Sequence, residues 1–442
     1  DPNNITISDG LDDNPVAPGG FDAGGVFTPG DATSDSTINT ATIVTQLDSS
    51  DVSIKTVDGN ITVVNGFTYA GDNDRTLTLD AFGTLTFKDG AIIKSTGGTG
   101  GTHTLGGVLT GTNGVVLEGG SSFITNGGDL AISGRTFLLD GVLDAGVGTV
   151  TLNSTDAISQ AAVGVITAGT LTGSSTGDTT LNGANAIGTL GDFTAANFAL
   201  TNNGDISQSG SLTVTGASSF DAGAHAITLG NTGNHFTGAV SLANSGTSSV
   251  LLNNGTHALV LGDVQVGSGT LAVTGTGITQ AVGSAVTQAA GANTASFNAG
   301  AGVLQLGNSN TFTGAVGLNN SGAYNVTLDN GTHALTLGTS TLGSGTFSLE
   351  GTGATTLAGI LTTSGGAISL AGPVTLGAAT TGIDTTDGGT VMTGAAITFG
   401  GAVNGASNLT LNAGTGGAVT LNQAVGDTTE LTGLTVTADS GD

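Results

Sequence analysis

The sequence predicts an all-β solenoid, a parallel β-helix whose short strands stack turn upon turn at about 19 residues per coil. Three observations carry that expectation. Residues 253–262, NNGTHALVLG, return as DNGTHALTLG at 329–338, 76 positions on, and 26 of 42 positions are identical between the stretches starting at Phe236 and Phe312. Self-similarity at that length marks a repeat architecture. Short runs that alternate apolar with Thr or Ser recur throughout (ITVV, AITLG, AVSLA, VLLN, LTLNAG), closed by Gly, Asn or Asp. Period two with turn punctuation is the strand signature. Finally, Leu242 is followed by Leu261, Leu252 by Leu271, Leu318 by Leu337 and Leu328 by Phe347, each 19 positions later. Four such coils make one 76-position unit. At an inter-strand spacing of about 4.8 Å, about 20 coils make a rod of roughly 100 Å.

Along the chain, residues 1–42 read as a Pro-, Asp- and Gly-rich loop or cap, holding Pro2, Pro15, Pro18 and Pro29 of the five prolines. A continuous solenoid is expected over 43–442, beginning near Ile43 and carrying the duplication at about 219–353. LGAATTGIDTTDGGT at 376–390 reads as a loop, and helical spacing is sustained nowhere. Composition fits a narrow stacked core. Val, Leu, Ile and Ala fill inward rows, while Thr and Ser, compatible with strands and with water, face out. The 80 glycines and many asparagines serve corners. Only 8% of residues are charged, because a charge is costly inside such a core.

Charge narrows the function further. Lys55, Arg75, Lys88, Lys94 and Arg135 are the five basic residues against 32 acidic ones, and none lies beyond 135. Nucleic-acid binding needs cations to displace phosphate counterions, so that class is excluded. No window is apolar enough for a membrane-spanning helix, and the first residues, DPNNITISDG, carry no export signal. The chain is expected to be a piece of something longer that continues past 442.

The phrases DPNNITI, TATIVTQLDSSDVSIKTVDGNITV, LTLDAFGTLTFKDGAIIKSTGG, ISQAAVGVITAGTLTG and FTGAVSLANSG resemble the filamentous-haemagglutinin-like exoproteins of Gram-negative bacteria. The resemblance implies a right-handed parallel β-helix, secretion through an outer-membrane partner barrel, and adhesive or biofilm work at the cell surface. That family's export domain, with its Asn-Pro motif, is not recognisable here, and DPNNITI is similar to the stretch that follows it.

His257 and His333 recur in NGTHAL but lack a ligating or catalytic partner in sequence, and His103, His225 and His235 lack one too. All five read as corner or face histidines. Asp9, Asp12 and Asp13 in DGLDDN, and Asp72 and Asp74 in GDND, offer oxygens of the kind Ca²⁺ prefers, but match no calcium-loop spacing. Asn4, Asn60, Asn153, Asn254, Asn319, Asn325, Asn330 and Asn408 open Asn-x-Ser/Thr triplets. Asn254 and Asn330 stand where a turn wants Asn-Gly anyway. The pairs Thr76/Thr78, Thr84/Thr86 and Thr435/Thr437 raise an ice-binding face, which needs register in every coil. Polysaccharide cleavage needs paired carboxylates and aromatic platforms; Asp384/Asp387 stand in turn-like sequence, and the only Tyr are Tyr69 and Tyr324, with no Trp. No catalytic, cofactor or metal residue is assigned. The expected function is a structural, adhesive segment of a secreted surface exoprotein, with self-association or glycans as further partners. A polysaccharide-binding or -cleaving β-helix is the alternative.

Overall fold

The computed structural model describes residues 3–13, 20–28, 34–377 and 380–439. Pro2, Pro15, Pro18 and Pro29 lie outside them. The described strands wind a parallel β-solenoid of about 17 turns, roughly 22 residues per turn. By contacts the chain divides into two compact units: Asp1–Gly216 with Phe220–Ala222, and Ala217–Ser219 with Gly223–Asp442.

In the first unit each regular turn carries three strands. Phe137–Leu139, Val142–Asp144 and Thr149–Ser154 pair in parallel with Gly114–Leu117, Ser122–Ile124 and Leu130–Gly134 one turn earlier. Alternation decides what faces in: Val115, Leu117, Phe123, Leu130, Ile132, Phe137, Leu139, Leu143, Val150 and Leu152 are all buried. Corners are closed by hydroxyls turned inward. Thr56 Oγ1 donates to the Gly59 carbonyl at 2.7 Å and Thr125 Oγ1 to that of Gly128 at 2.6 Å, satisfying groups that burial strips of water.

The start of this unit departs from expectation. Ile5–Ser8 lies between Ser36–Asn39 and Ile61–Val63, so the first strand is not the first in the stack. A helix, Thr40–Leu47, follows and buries Ile43 and Leu47. Ile43 therefore belongs to a helix rather than to a first coil. Its capping explains it: the Asn39 side chain accepts from the Ala41 N–H, Asp12 accepts from the Thr42 hydroxyl at 2.7 Å, and Arg75 Nε donates to the Leu47 carbonyl at 2.7 Å.

In the second unit two sheets alternate. One runs through Ala239–Ala243, Leu259–Val266, Leu304–Leu306, Val326–Leu328, Phe347–Leu349, Ile368–Leu370, Ile397–Phe399 and Val419–Leu421; the other includes Val250–Asn253, Leu271–Thr274, Ala295–Asn298 and Ala315–Asn319. The expected partners are shifted. Val250 pairs with Leu271 and Leu252 with Val273, an offset of 21 positions. Likewise Val240 pairs with Leu261, Val316 with Leu337 and Val326 with Phe347, while Leu242 meets Val264. A slide of two positions keeps every side chain on its face, so the apolar pattern fits 19 and 21 equally well. Only the hydrogen-bond ladder separates them.

The duplication is likewise not four coils. Val250 stacks with Leu271, Leu271 with Ala295, and Ala295 with Val316, three turns within one sheet. The repeat counterpart of Val250 is Val326, which lies in the other sheet between Leu304 and Phe347. The 76-position repeat thus makes three turns plus one face. At 376–390, Thr380–Asp384 is a strand pairing with Ile360–Thr363, and only the stretch after it is a turn; residues 378–379 lie outside the described set.

Candidate functional site

The duplicated phrase builds a corner. Asn254 is fully buried; its Oδ1 accepts from the Phe236 N–H at 2.8 Å, and its Nδ2 donates to the carbonyls of Phe236 and Ala258. Asn330 repeats the arrangement on Phe312 and Ala334. Both amides are consumed by the scaffold, which closes them to sugar attachment in the folded chain. Asn60, Asn153, Asn319, Asn325 and Asn408 are exposed, and Asn4 is half-buried. His257 Nδ1 lies 3.2 Å from the Asn234 carbonyl oxygen and His333 Nδ1 3.2 Å from that of Asn330. Sequence reading missed one contact: the rings of His235 and His257 stack at 3.9 Å. At the matching place in the second copy stands Thr311, so the stack is not repeated. It also missed paired amides, all buried except the half-buried Gln280. Gln160 and Asn185 bond reciprocally at 2.8 and 3.0 Å, as do Gln280 and Asn310 at 2.8 and 3.3 Å. The recurring ISQAAVG and ITQAVGS were the available signal.

Of the acidic candidates, Asp12, Asp72, Asp74 and Asp384 are spent on the scaffold, while Asp9 and Asp13 are exposed. Asp12 accepts from the Asn39 N–H at 2.6 Å as well as from Thr42. Asp72 is held below the ordinary carboxylate range by the N–H and hydroxyl of Thr99, and Asp74 by the N–H of Thr104, with His103 beside it at 3.7 Å. Burial pushes Asp384 up, but the hydroxyl and N–H of Thr386 and the N–H of Gly388 outweigh it and hold it low. Among the described residues no group of three or more His, Asp or Glu is placed to hold a metal ion. Thr76 and Thr78 pair with Gly106 and Val108, so that threonine pair has no partner threonines in the next coil. Tyr69 is buried, donating to the Asn73 carbonyl, whereas Tyr324 is exposed.

Two grooves open on the surface of the units. In the first unit about 370 Å³ opens over Gly106 and Gly107, lined by Asp51, Asp74, Asp129 and Arg75 among others. Its carboxylates already accept N–H groups from Thr76, Thr104 and Thr149, and Arg75 is turned to the helix end. In the second unit about 260 Å³ lies over Gly307, lined by Thr279, Gln280, Gln305, Asn308 and Thr327, with no charge. From this groove an outward column continues in register: Gln305, Thr327, Ser348, Ser369, Thr398 and Thr420. Each is at least partly exposed.

Fold and surface together define a class: a parallel β-solenoid repeat protein whose buried polar groups maintain turns, with an outward ladder in the second unit, Gln305 to Thr420, that carries no charge. Residues 176–243 and 247–319 match a family described as repeats of unknown function (DUF5649). No curated protein and no solved structure matches the chain.

Proposed function

We propose that this chain is a structural and adhesive segment of a large secreted bacterial surface exoprotein, of the filamentous-haemagglutinin-like kind. In this reading an outer-membrane partner barrel exports it, and it serves adhesion, biofilm or matrix formation by display and contact, with self-association as a further use. One observation supports it above others: Asn254, Asn330, Asp72 and Asp74 are engaged in hydrogen bonds that hold successive turns together, while the outward row from Gln305 to Thr420 is left facing water. Backbone ladders running along the stack make each unit stiff, as a display scaffold requires.

The Gly106 groove favours a second reading, polysaccharide cleavage, because it gathers three carboxylates. Its chemistry weighs against that. A glycosidase acid needs a raised pKa, whereas Asp74 is held low by the Thr104 N–H. The deciding experiment incubates the purified chain with acidic and neutral polysaccharides and, in parallel, measures its retention on cells and surfaces. Saturable retention without release of reducing ends is expected. Release of reducing ends that Asp51→Asn or Asp129→Asn abolishes would overturn the adhesive reading.

A further inference from the structure

We infer that the column Gln305–Thr327–Ser348–Ser369–Thr398–Thr420, with the amide-lined groove at its head, is a binding track for a neutral, extended polysaccharide chain lying along the stack. The inference rests on the adhesive reading and supplies its ligand class. Availability comes first. Among the described residues, no protein group bonds the side chains of these six, so their donors and acceptors face water alone. In the first unit the comparable outward rows partly satisfy themselves: Thr110 bonds Ser133 at 2.9 Å and Ser174 donates to Asn153 at 3.3 Å.

Shape comes next. Ser369 is flanked along its strand by Ala367 and Ala371, Thr398 by Ala396 and Gly400, and Thr420 by Ala418. Small neighbours leave the hydroxyls standing above a flat surface. Successive side chains are about 4.8 Å apart, so the six span about 24 Å. That spacing is close to the advance per sugar of an extended pyranose chain, and each sugar in turn meets a donor–acceptor group. At the head of the track the amides are fixed beforehand: Gln280 by Asn310, and Asn308 by the carbonyls of Ala281 and Ser284. Fixing them in advance lowers the ordering cost of binding.

Charge selects the class. Asp329 and Glu350 stand two positions along from Thr327 and Ser348, and no Lys or Arg follows Arg135. An anionic glycan is repelled and a neutral one admitted. With no aromatic platform in the column, each sugar contributes weakly, and affinity accumulates with the number engaged.

The test measures retention of the purified chain on cellulose, β-1,3-glucan, mannan and starch, with polygalacturonate and heparin as anionic arms. Retention on at least one neutral glycan is expected, strengthening with oligosaccharide length up to about six sugars. Gln305→Ala or Thr327→Val should weaken it about 3–10-fold, the range for losing one neutral hydrogen bond. Ser369→Glu should weaken it more, and Thr356→Val on the other sheet should change nothing. All four sites are outward, and unchanged circular dichroism and melting verify the fold. No retention on any neutral glycan, retention on anionic glycans alone, or full retention by Ser369→Glu overturns the track. Attachment of the same proteins to whole cells and plastic is scored separately. Attachment without glycan retention removes the track only, whereas loss of both removes the adhesive reading as well.

Discussion

Asn254 and Asn330 show how one side chain closes a turn. Each accepts a backbone N–H and donates to carbonyls in its own and the neighbouring coil, so truncation leaves several buried polar groups unpaired. Asn254→Ala or Asn330→Ala is expected to cost about 1–3 kcal/mol, read as a lower melting temperature or denaturant midpoint. Exposed Asn153→Ala should sit within measurement error. The low carboxylates give an acid signature. Asp72 is lowered by the Thr99 N–H, Asp74 by that of Thr104 and Asp192 by that of Ser211. A depressed folded pKa adds stability while the group is ionised, above its unfolded value near about 4, and that stability fades as the pH falls through the folded value. Melting temperature should therefore drop below about pH 4, and Asp72→Asn with Asp192→Asn should flatten that limb. An acid limb unchanged in the double variant would refute the assignment.

At the scale of elements the register itself is testable, because the chain has no cysteine. Thr327 and Ser348 are direct parallel partners, offset by 21 positions. Cysteines placed at those two positions should oxidise to a disulfide, within the Cα separation such a bond needs. A pair at Thr327 and Thr346, offset by 19, should resist oxidation; the opposite result would restore the shorter coil. Glycine corners are equally specific. A Cβ on Gly343 would land on the Gly322 carbonyl oxygen one turn away, whereas one on Gly119 meets nothing within 4 Å. Gly343→Ala should lower the melting temperature clearly and Gly119→Ala should not. The helix Thr40–Leu47 leaves little periodic signal in the sequence because its eight residues give barely two helical turns. Its signal was local, with Asn39 as N-cap.

At the scale of the whole molecule, a formal charge of −27 with no Lys or Arg past Arg135 sets what the surface will meet. The chain should show no retention on DNA even at low salt, measured by gel shift, and binding there would contradict the charge argument. Divalent ions should matter little as well. Asp12, Asp72 and Asp74 give carboxylate oxygens to backbone and hydroxyl donors, so adding EDTA or millimolar Ca²⁺ should leave the melting curve in place.

The sequence by itself determined the fold class, because alternation, turn residues and self-similarity are properties of neighbours along the chain. It also determined the absence of cations beyond Arg135 and the corner role of Asn254 and Asn330. Tertiary structure alone decided the register of 21 over 19, since a two-position slide leaves every inward residue inward. It alone placed Val250 and Val326 on different sheets, because coil lengths vary from turn to turn. The track from Gln305 to Thr420 was illegible for the same reason. Its members follow one another at uneven offsets, Thr327 to Ser348 being shorter than Ser369 to Thr398, and only the hydrogen bonds between turns bring them into one line.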